Sequence, residues 1–280
     1  MPPLIAIVGP TSSGKTAYSI VLAKQFKKEG IVAEIVSADS RQVYKGIDLL
    51  SGKVAKREMS GVPHHMLDIA NPKRVYSVAQ YKKDAEKIIA QIHKRGHMPI
   101  LVGGTGFYVD TIMYGTIFPE VKPNKILRKK LVELPLEKLF TILKKLDKER
   151  AQNIDAKNKV RLIRAIEIAT ALGKVPKVKK EEKYETLLVT IDLPDEELKK
   201  KIHARLLSRV NQGMLVEAKR LHTSGVSYKR MEDLGLECRY SALYLQGKIS
   251  KKDMLQELES AIWHYAKRQR TWFKKQNSTD

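Results

Sequence analysis

Gly9-Pro10-Thr11-Ser12-Ser13-Gly14-Lys15-Thr16 matches G-x-x-x-x-G-K-[ST] in full, the pattern of a backbone loop that wraps phosphate oxygens. Its glycines let successive N–H groups converge on an anion. A helix beginning at the end of the loop adds positive potential at the same place. Lys15 supplies a mobile cation, and the Thr16 hydroxyl can ligand Mg2+. The loop therefore predicts a bound diphosphate or triphosphate without saying which. Most such loops hold ATP or GTP, and an NTPase usually places an Asp after an apolar strand to hold the metal. Here the apolar run Pro99 to Val102 enters Gly103-Gly104-Thr105 instead. Asp39 closes the run Glu34 to Ser37. If both runs are strands of an open parallel sheet, Asp39 and Thr105 lie at the carboxyl edge that binds ligands. Asp39 then has two chemical uses: holding Mg2+ through water, or accepting a proton from a nucleophile.

Other candidates are less specific. Arg205 and Arg209, four apart on a predicted helix, could reach a diphosphate, a role that suits the guanidinium fork. His64-His65 follows Pro63. Adjacent histidines do not share a face of a strand or helix, and no H-E-x-x-H pattern accompanies them, so a structural or substrate-loop role is expected. Lys157, Arg161 and Arg164 fall on one predicted helical face, with Leu162, Ile166 and Ala169 on another. The first face is a solvated surface or a phosphate-contacting ridge. The segment Ala266 to Lys275 mixes cations with Trp272 and Phe273, a mixture that suits stacking on unpaired RNA bases, although both aromatics are expected to pack on the core.

The elements that must position these residues are legible from periodicity. Leu4 to Val8 and Pro99 to Val102 are short apolar runs of the kind that form buried strands, and Glu34 to Ser37 and Leu187 to Ile191 read as further strands. Ser77-Val78-Ala79-Gln80 is a capping box. Val78, Tyr81, Ala85, Ile88 and Ile92 then recur at helical spacing. Alternating strands and helices predict an α/β fold, a P-loop NTPase-like parallel sheet flanked by helices. From Pro119 the chain becomes Lys-rich and helical. We expect residues 119–184 to form an all-helical insertion, with 1–118 and 185–280 forming the core. A long helix after Ser250 presents Leu255, Leu258, Ile262 and Tyr265 on one face, and the last few residues are expected to fray.

Composition bounds the function classes. The 280 residues carry 53 Lys plus Arg against 31 Asp plus Glu, a formal net charge of +22, which attracts polyanions. Cys238 is the only cysteine, excluding an internal disulfide and a cysteine-based zinc site. No apolar run approaches the ~18 residues of a membrane span. The N-terminus lacks a basic n-region. A cytoplasmic monomer that does not engage membranes is expected.

Taken in order, five blocks resemble the tRNA dimethylallyltransferases, the bacterial type of tRNA isopentenyltransferase. They are residues 9–16, Ser37 to Gly46, Val62 to Asp68, Leu101 to Tyr108, and Ala266-Lys267-Arg268-Gln269 with Thr271-Trp272-Phe273. The resemblance implies transfer of a dimethylallyl group from dimethylallyl diphosphate to N6 of the adenosine at tRNA position 37. The adenine would be flipped out of the anticodon loop, with Mg2+ as cofactor and the anticodon stem-loop as partner. It implies Asp39 as general base on N6 and Thr105 near the bridging oxygen. Gly9, Pro10, Thr11, Ser12, Ser13, Gly14, Lys15, Thr16 and Arg209 would bind the diphosphate, with Thr16 on the metal and Lys15 assisting departure. Asp39, Ser40, Arg41, Gln42, Thr105, Arg128, Val160, Arg161, Leu162, Ile163, Arg164 and Arg239 would contact tRNA. Two segments depart from the family pattern. Ser51-Gly52-Lys53-Val54 stands where a Gly-Thr-Ala-Lys run is common, and Glu237-Cys238-Arg239 where a Gly-Tyr-Lys/Arg element is common. The alternative activities are those of a P-loop kinase or an isopentenyltransferase acting on free adenine nucleotides.

Overall fold

The computed structural model describes residues 1–274; Lys275 and the tail expected to fray lie outside them. Two compact units divide the chain: residues 1–115 with 182–280, and residues 116–181. These boundaries fall three residues before those expected from sequence. Ile117 makes a bridge with Lys179 inside the second unit, whereas Tyr184 is buried in a core of the first.

The first unit begins with β1 (Pro3–Val8), α1 (Lys15–Lys28), β2 (Ala33–Ser37), α2 (Asp48–Ser51), α3 (Lys56–Met59) and β3 (His64–His65). It continues with α4 (Val78–Lys94), β4 (Met98–Gly103) and α5 (Gly106–Met113). The strands, completed by β5 (Glu185–Thr190), form one parallel sheet in the order β3-β2-β4-β1-β5. Val8 lies opposite Gly103 and Thr190, and Ser37 opposite Val102. The loops after β1, β2 and β4 therefore leave from one edge. One face of the sheet is covered by α1 through Ile20, Ala23 and Phe26, the other by α4 and α5. Burial on both faces is why β1 and β4 read as continuous apolar runs.

The capping box at Ser77 is formed, with Ser77 Oγ accepting from Gln80 N at 3.3 Å and Ser77 N donating to Gln80 Oε1 at 2.9 Å. The stripe that α4 buries is Tyr81, Ala85, Ile89 and Ile92. Ile88, expected at its centre, sits on the flank. Tyr81 stacks on Tyr108 with centroids 3.9 Å apart, an arrangement worth ~0.5–1.5 kcal/mol beyond area burial. Its hydroxyl donates to Ser37 O at 3.0 Å, which props the end of β2 just before Asp39.

Five further helices build a second core against the loop after β2. They are α10 (Asp195–Asn211), α11 (Met214–Thr223), α12 (Tyr228–Asp233), α13 (Leu236–Leu245) and α14 (Lys251–Lys274), and with Val43, Tyr44, Ile47 and Leu50 they enclose a shared apolar cluster. The second unit holds α6 (Lys125–Val132), α7 (Leu136–Leu146), α8 (Lys148–Gln152) and α9 (Lys159–Leu172) around Leu139, Leu143, Leu162 and Ile166. Lys157 does not share the helical face assigned to it. Asn158 caps α9 by accepting from Arg161 N at 3.1 Å, and Lys157 lies in the preceding turn with its N–H on Asp155.

Glu34 marks a buried electrostatic knot on β2. Its side chain, 5% exposed, accepts from His65 at 2.6 Å, His97 at 2.7 Å and Arg95 at 2.8 Å. Burial alone would push its carboxyl up; the hydrogen bonds from His97, His65 and Arg95 outweigh that and hold it at about 2. A carboxyl depressed in the fold stabilises it above the unfolded pKa of ~4.3 and ceases to do so as pH falls toward the folded value. Glu34→Gln is accordingly expected to cost ~3 kcal/mol near neutral pH. Urea titrations at several pH values should show the gap to wild type closing as pH falls from 5 toward 2.

Candidate active site

A cavity of about 1360 Å3 opens at the carboxyl edge of the sheet, lined among others by Thr11, Lys15, Thr16, Asp39, Arg205 and Arg209. Its floor is the phosphate loop between β1 and α1. Gly9 takes a φ of 145°, and a Cβ there would meet Ile191 O at 2.0 Å. Only glycine lets the loop leave β1 beside the end of β5. Ser13 N donates to Pro10 O at 3.3 Å, and Gly14 (φ 94°) begins α1. Lys15 Nζ donates to Pro10 O at 2.6 Å. Burial pushes the Lys15 ammonium down to about 8, with Asp39 opposing and Arg205 adding to the shift.

Asp39 and Thr105 are brought together by the β2–β4 pairing. Gly103 permits this, since a Cβ there would lie 2.2 Å from Ala38 O. Thr105 N donates to Ala38 O at 3.2 Å. Thr105 Oγ1 accepts from Ser40 N at 3.0 Å and donates to Ser40 Oγ at 3.3 Å. Asp39 Oδ1 accepts from the amides of Arg41 at 2.8 Å and Gln42 at 3.3 Å. One carboxylate oxygen thus closes the turn that carries Ser40 to Gln42, and the residue is both turn-former and cavity wall.

Arg205 and Arg209 project from successive turns of α10. Arg205 donates to Gly52 O at 2.8 Å, and Arg209 to Leu49 O at 3.1 Å and to Glu237 at 2.8 Å. Arg205 is pushed down by burial and by the neighbouring Arg209. Buried Arg209, paired with Glu237, and half-buried Arg205 thus stand side by side on the cavity wall, an arrangement able to take up an anion.

The two departing segments serve this site. The single Gly52 carbonyl accepts from both Arg205 and, at 3.3 Å, Gln42. Lys53, 5% exposed, is tied to Asp48 at 2.6 Å and Asp68 at 2.5 Å, so its charge braces the loop. Glu237 holds Arg209, and Cys238 is buried with its thiol pushed up. The glycine of that turn is Gly235, with φ 141° and the stem of Arg41 packed against it.

The remaining expected contacts separate into exposed and internal groups. Arg41 and Arg239 are exposed cavity-lining residues, with Arg41 donating to Asp233 O at 2.9 Å and Arg239 to Glu232 O at 3.3 Å. In the second unit Val160 and Arg161 are exposed. Leu162 and Ile163 are not surface residues, because their side chains fill the helical core. Arg128 and Arg164 both donate to Glu167, which is 1% exposed, at 2.6 and 3.3 Å. His64 and His65 hold no common ligand: His65 is on Glu34, and His64 Nδ1 lies 2.8 Å from Val62 O. Among the described residues no group of three His, Cys, Asp or Glu could hold a metal ion.

The basic-aromatic segment of α14 is more architectural than its composition suggests. Ala266, Gln269 and Phe273 are buried. Arg270 pairs with Asp192 and Asp195. Trp272 Nε1 donates to Asp110 at 2.9 Å. Tyr265, which lines the cavity, has its phenol pushed up to about 12 by burial and by Asp39.

A phosphate loop after β1 of a parallel sheet, an arginine pair above it, and a carboxylate and hydroxyl at the neighbouring strand ends define a P-loop α/β transferase site. The family model for IPP transferase matches residues 42–276, and the chain belongs to that family. The chain is 40% identical over 273 residues to a tRNA dimethylallyltransferase 2 of Shewanella sediminis, covering 97% of this chain and 89% of that one. It is 39% identical to the corresponding protein of Treponema denticola, covering 97% and 91%. The fold matches the crystal structure of a tRNA isopentenylpyrophosphate transferase from Staphylococcus epidermidis with a TM-score of 0.69 at 35% identity, covering 98% and 90%. It matches a eukaryotic dimethylallyltransferase acting on tRNA with a TM-score of 0.83 at 26% identity, covering 97% and 70%. Among the described residues no helix is long and apolar enough to cross a membrane.

Proposed function

We propose that this chain transfers a dimethylallyl group from dimethylallyl diphosphate to N6 of the adenosine at tRNA position 37, acting as a cytoplasmic monomer. The observation that carries the reading is the convergence on one cavity of a phosphate loop, the Arg205–Arg209 pair and Asp39, with Gly103-Gly104-Thr105 where an NTPase would place its metal-binding Asp. The loop amides, Lys15 and the two arginines stabilise charge on a departing diphosphate. The N6 lone pair attacks C1 of the allyl group, the C1–O bond breaks, and the diphosphate leaves with that electron pair. The N6 proton passes to Asp39. Thr105, whose Oγ1 accepts from Ser40 N and donates to Ser40 Oγ, would turn that proton toward the bridging oxygen to assist its departure.

Mg2+ fits the donor set. Thr16 is exposed at the cavity, and its hydroxyl would hold the ion, with phosphate oxygens and water completing a shell of the kind this ion prefers. When bound, it would neutralise diphosphate charge.

The direct test incubates the protein with labelled dimethylallyl diphosphate and either bulk tRNA or free AMP. Label in N6-modified adenosine of tRNA is the expected result. Label in AMP alone would support the free-nucleotide reading, and phosphoryl transfer from ATP the kinase reading.

The exposed end of α9 gives a separate prediction for RNA affinity. Arg161 is 56% exposed, and its ion partner among the described residues, Asp155, is 3.9 Å away. Arg161→Glu is expected to weaken tRNA binding and to reduce the slope of log affinity against log salt by about 0.7–0.9. Donor binding should not change. Arg164→Glu should instead unfold the helical unit, because it faces buried Glu167 with a like charge.

A further inference from the structure

Gln269 is a polar residue within the buried stripe of α14, 6% exposed and flanked by buried Ala266 and Phe273. Its carboxamide joins two segments far apart in sequence. Gln269 Oε1 accepts from Thr11 N of the phosphate loop at 2.8 Å. Gln269 Nε2 donates to Gly104 O, next to Thr105, at 2.7 Å. The fit leaves little room, since a Cβ on Gly104 would stand 2.3 Å from Gln269 Nε2. A buried amide with one acceptor and one donor both used in short bonds fixes the separation of the two backbone groups it touches.

We propose that Gln269 is a positioning residue of the transfer site. It locks the loop that holds the diphosphate to the turn that carries Thr105, so that the leaving group and the hydroxyl beside its bridging oxygen keep one geometry. The inference rests on the diphosphate reading of the cavity and deepens it. Thr11 N, taken by Gln269, serves the shape of the loop, while the amides nearer α1 remain for the anion. Misplacement by even ~1 Å costs ~10²-fold in an oriented site, which is why a residue that holds two backbone segments in place matters here.

The carboxamide chemistry gives a test that packing alone would not pass. In Gln269→Glu the side chain keeps its shape. Protonated, it accepts from Thr11 N and donates to Gly104 O. Ionised, it has lost the donor and sets a charge against a carbonyl. Binding of inorganic diphosphate is measured calorimetrically for wild type, Gln269→Glu and Gln269→Leu from pH 5 to 9, with melting curves recorded at each pH. We expect Gln269→Leu to bind roughly tenfold more weakly throughout, as for a lost buried hydrogen-bond pair. We expect the affinity of Gln269→Glu relative to wild type to fall by a similar factor as pH rises. Single-turnover dimethylallyl transfer at saturating donor should fall in parallel. A pH-independent ratio for Gln269→Glu, together with wild-type binding by Gln269→Leu, would reduce Gln269 to core packing and overturn the proposal. Should Gln269→Leu fail to fold, the pH dependence of the isosteric Gln269→Glu decides alone. Failure of wild type to bind diphosphate would instead remove the site reading, whereas diphosphate binding without prenyl transfer would leave this inference standing and overturn only the proposed reaction.

Discussion

Asp39→Asn is expected to lower the single-turnover rate of dimethylallyl transfer by ~10²–10⁴-fold, the usual contribution of a positioned general base, while dimethylallyl diphosphate binds as in wild type. The substitution is conservative in a way the structure specifies. Asp39 Oδ1 accepts from the amides of Arg41 and Gln42, and the amide oxygen of Asn can take over both bonds, so the turn that presents Ser40, and through it Thr105, is kept. The group lost is the second carboxylate oxygen, replaced by an NH2 that can neither accept a hydrogen from N6 nor take its proton. If Asp39 instead holds Mg2+, the variant will bind donor weakly and recover partly as Mg2+ is raised. Donor affinity and rate measured across Mg2+ concentrations separate the two roles, and a near-normal rate would remove Asp39 from the chemistry altogether.

Lys15→Ala is expected to reduce the rate by ~10²–10³-fold, the cost of removing one preorganised charge from a developing anion, and to weaken binding of inorganic diphosphate. The fold should persist, because among the described residues the only hydrogen bond of Nζ is to Pro10 O within its own loop. The pH dependence identifies the residue. Burial brings the Lys15 ammonium down to about 8 in the free protein, and a bound diphosphate would raise it by supplying opposite charge. Binding then takes up a proton at alkaline pH. Affinity should be flat with respect to Lys15 below pH 8 and fall above it by up to ~10-fold per pH unit. The difference between wild type and Lys15→Ala in isothermal titrations with diphosphate should shrink over the same window. Equal donor affinity in the two proteins at pH 7 would show that Lys15 does not touch the anion.

Local sequence alone determined the parts of this site built from contiguous residues. Gly9 to Thr16 carries its own geometry, because glycine and helix-start chemistry act within one loop. The strand before Thr105 announces itself because a parallel strand buried on both faces is largely apolar; the one before Asp39 carries Glu34, buried only because His65, His97 and Arg95 meet it. The capping box at Ser77 works in the same way. What only the tertiary structure decided are pairings over long separations. Arg205 and Arg209 reach the cavity wall together because α10 brings them to the carbonyls of Gly52 and Leu49. Lys53 in one unusual segment becomes a structural ion pair, and Glu237 in the other becomes the partner of Arg209. Arg128 and Arg164 look like phosphate contacts by type, yet both are drawn to buried Glu167. Leu162 and Ile163 leave the surface because α9 must bury one face. The segment around Gln269 reads as an RNA-contacting mixture of cations and aromatics, and a polar residue in its apolar stripe was the one signal of a buried partner. Hydrogen-bond partners 258 and 165 residues away leave no local imprint, since what selects the amide is the pair of backbone groups that folding sets opposite it.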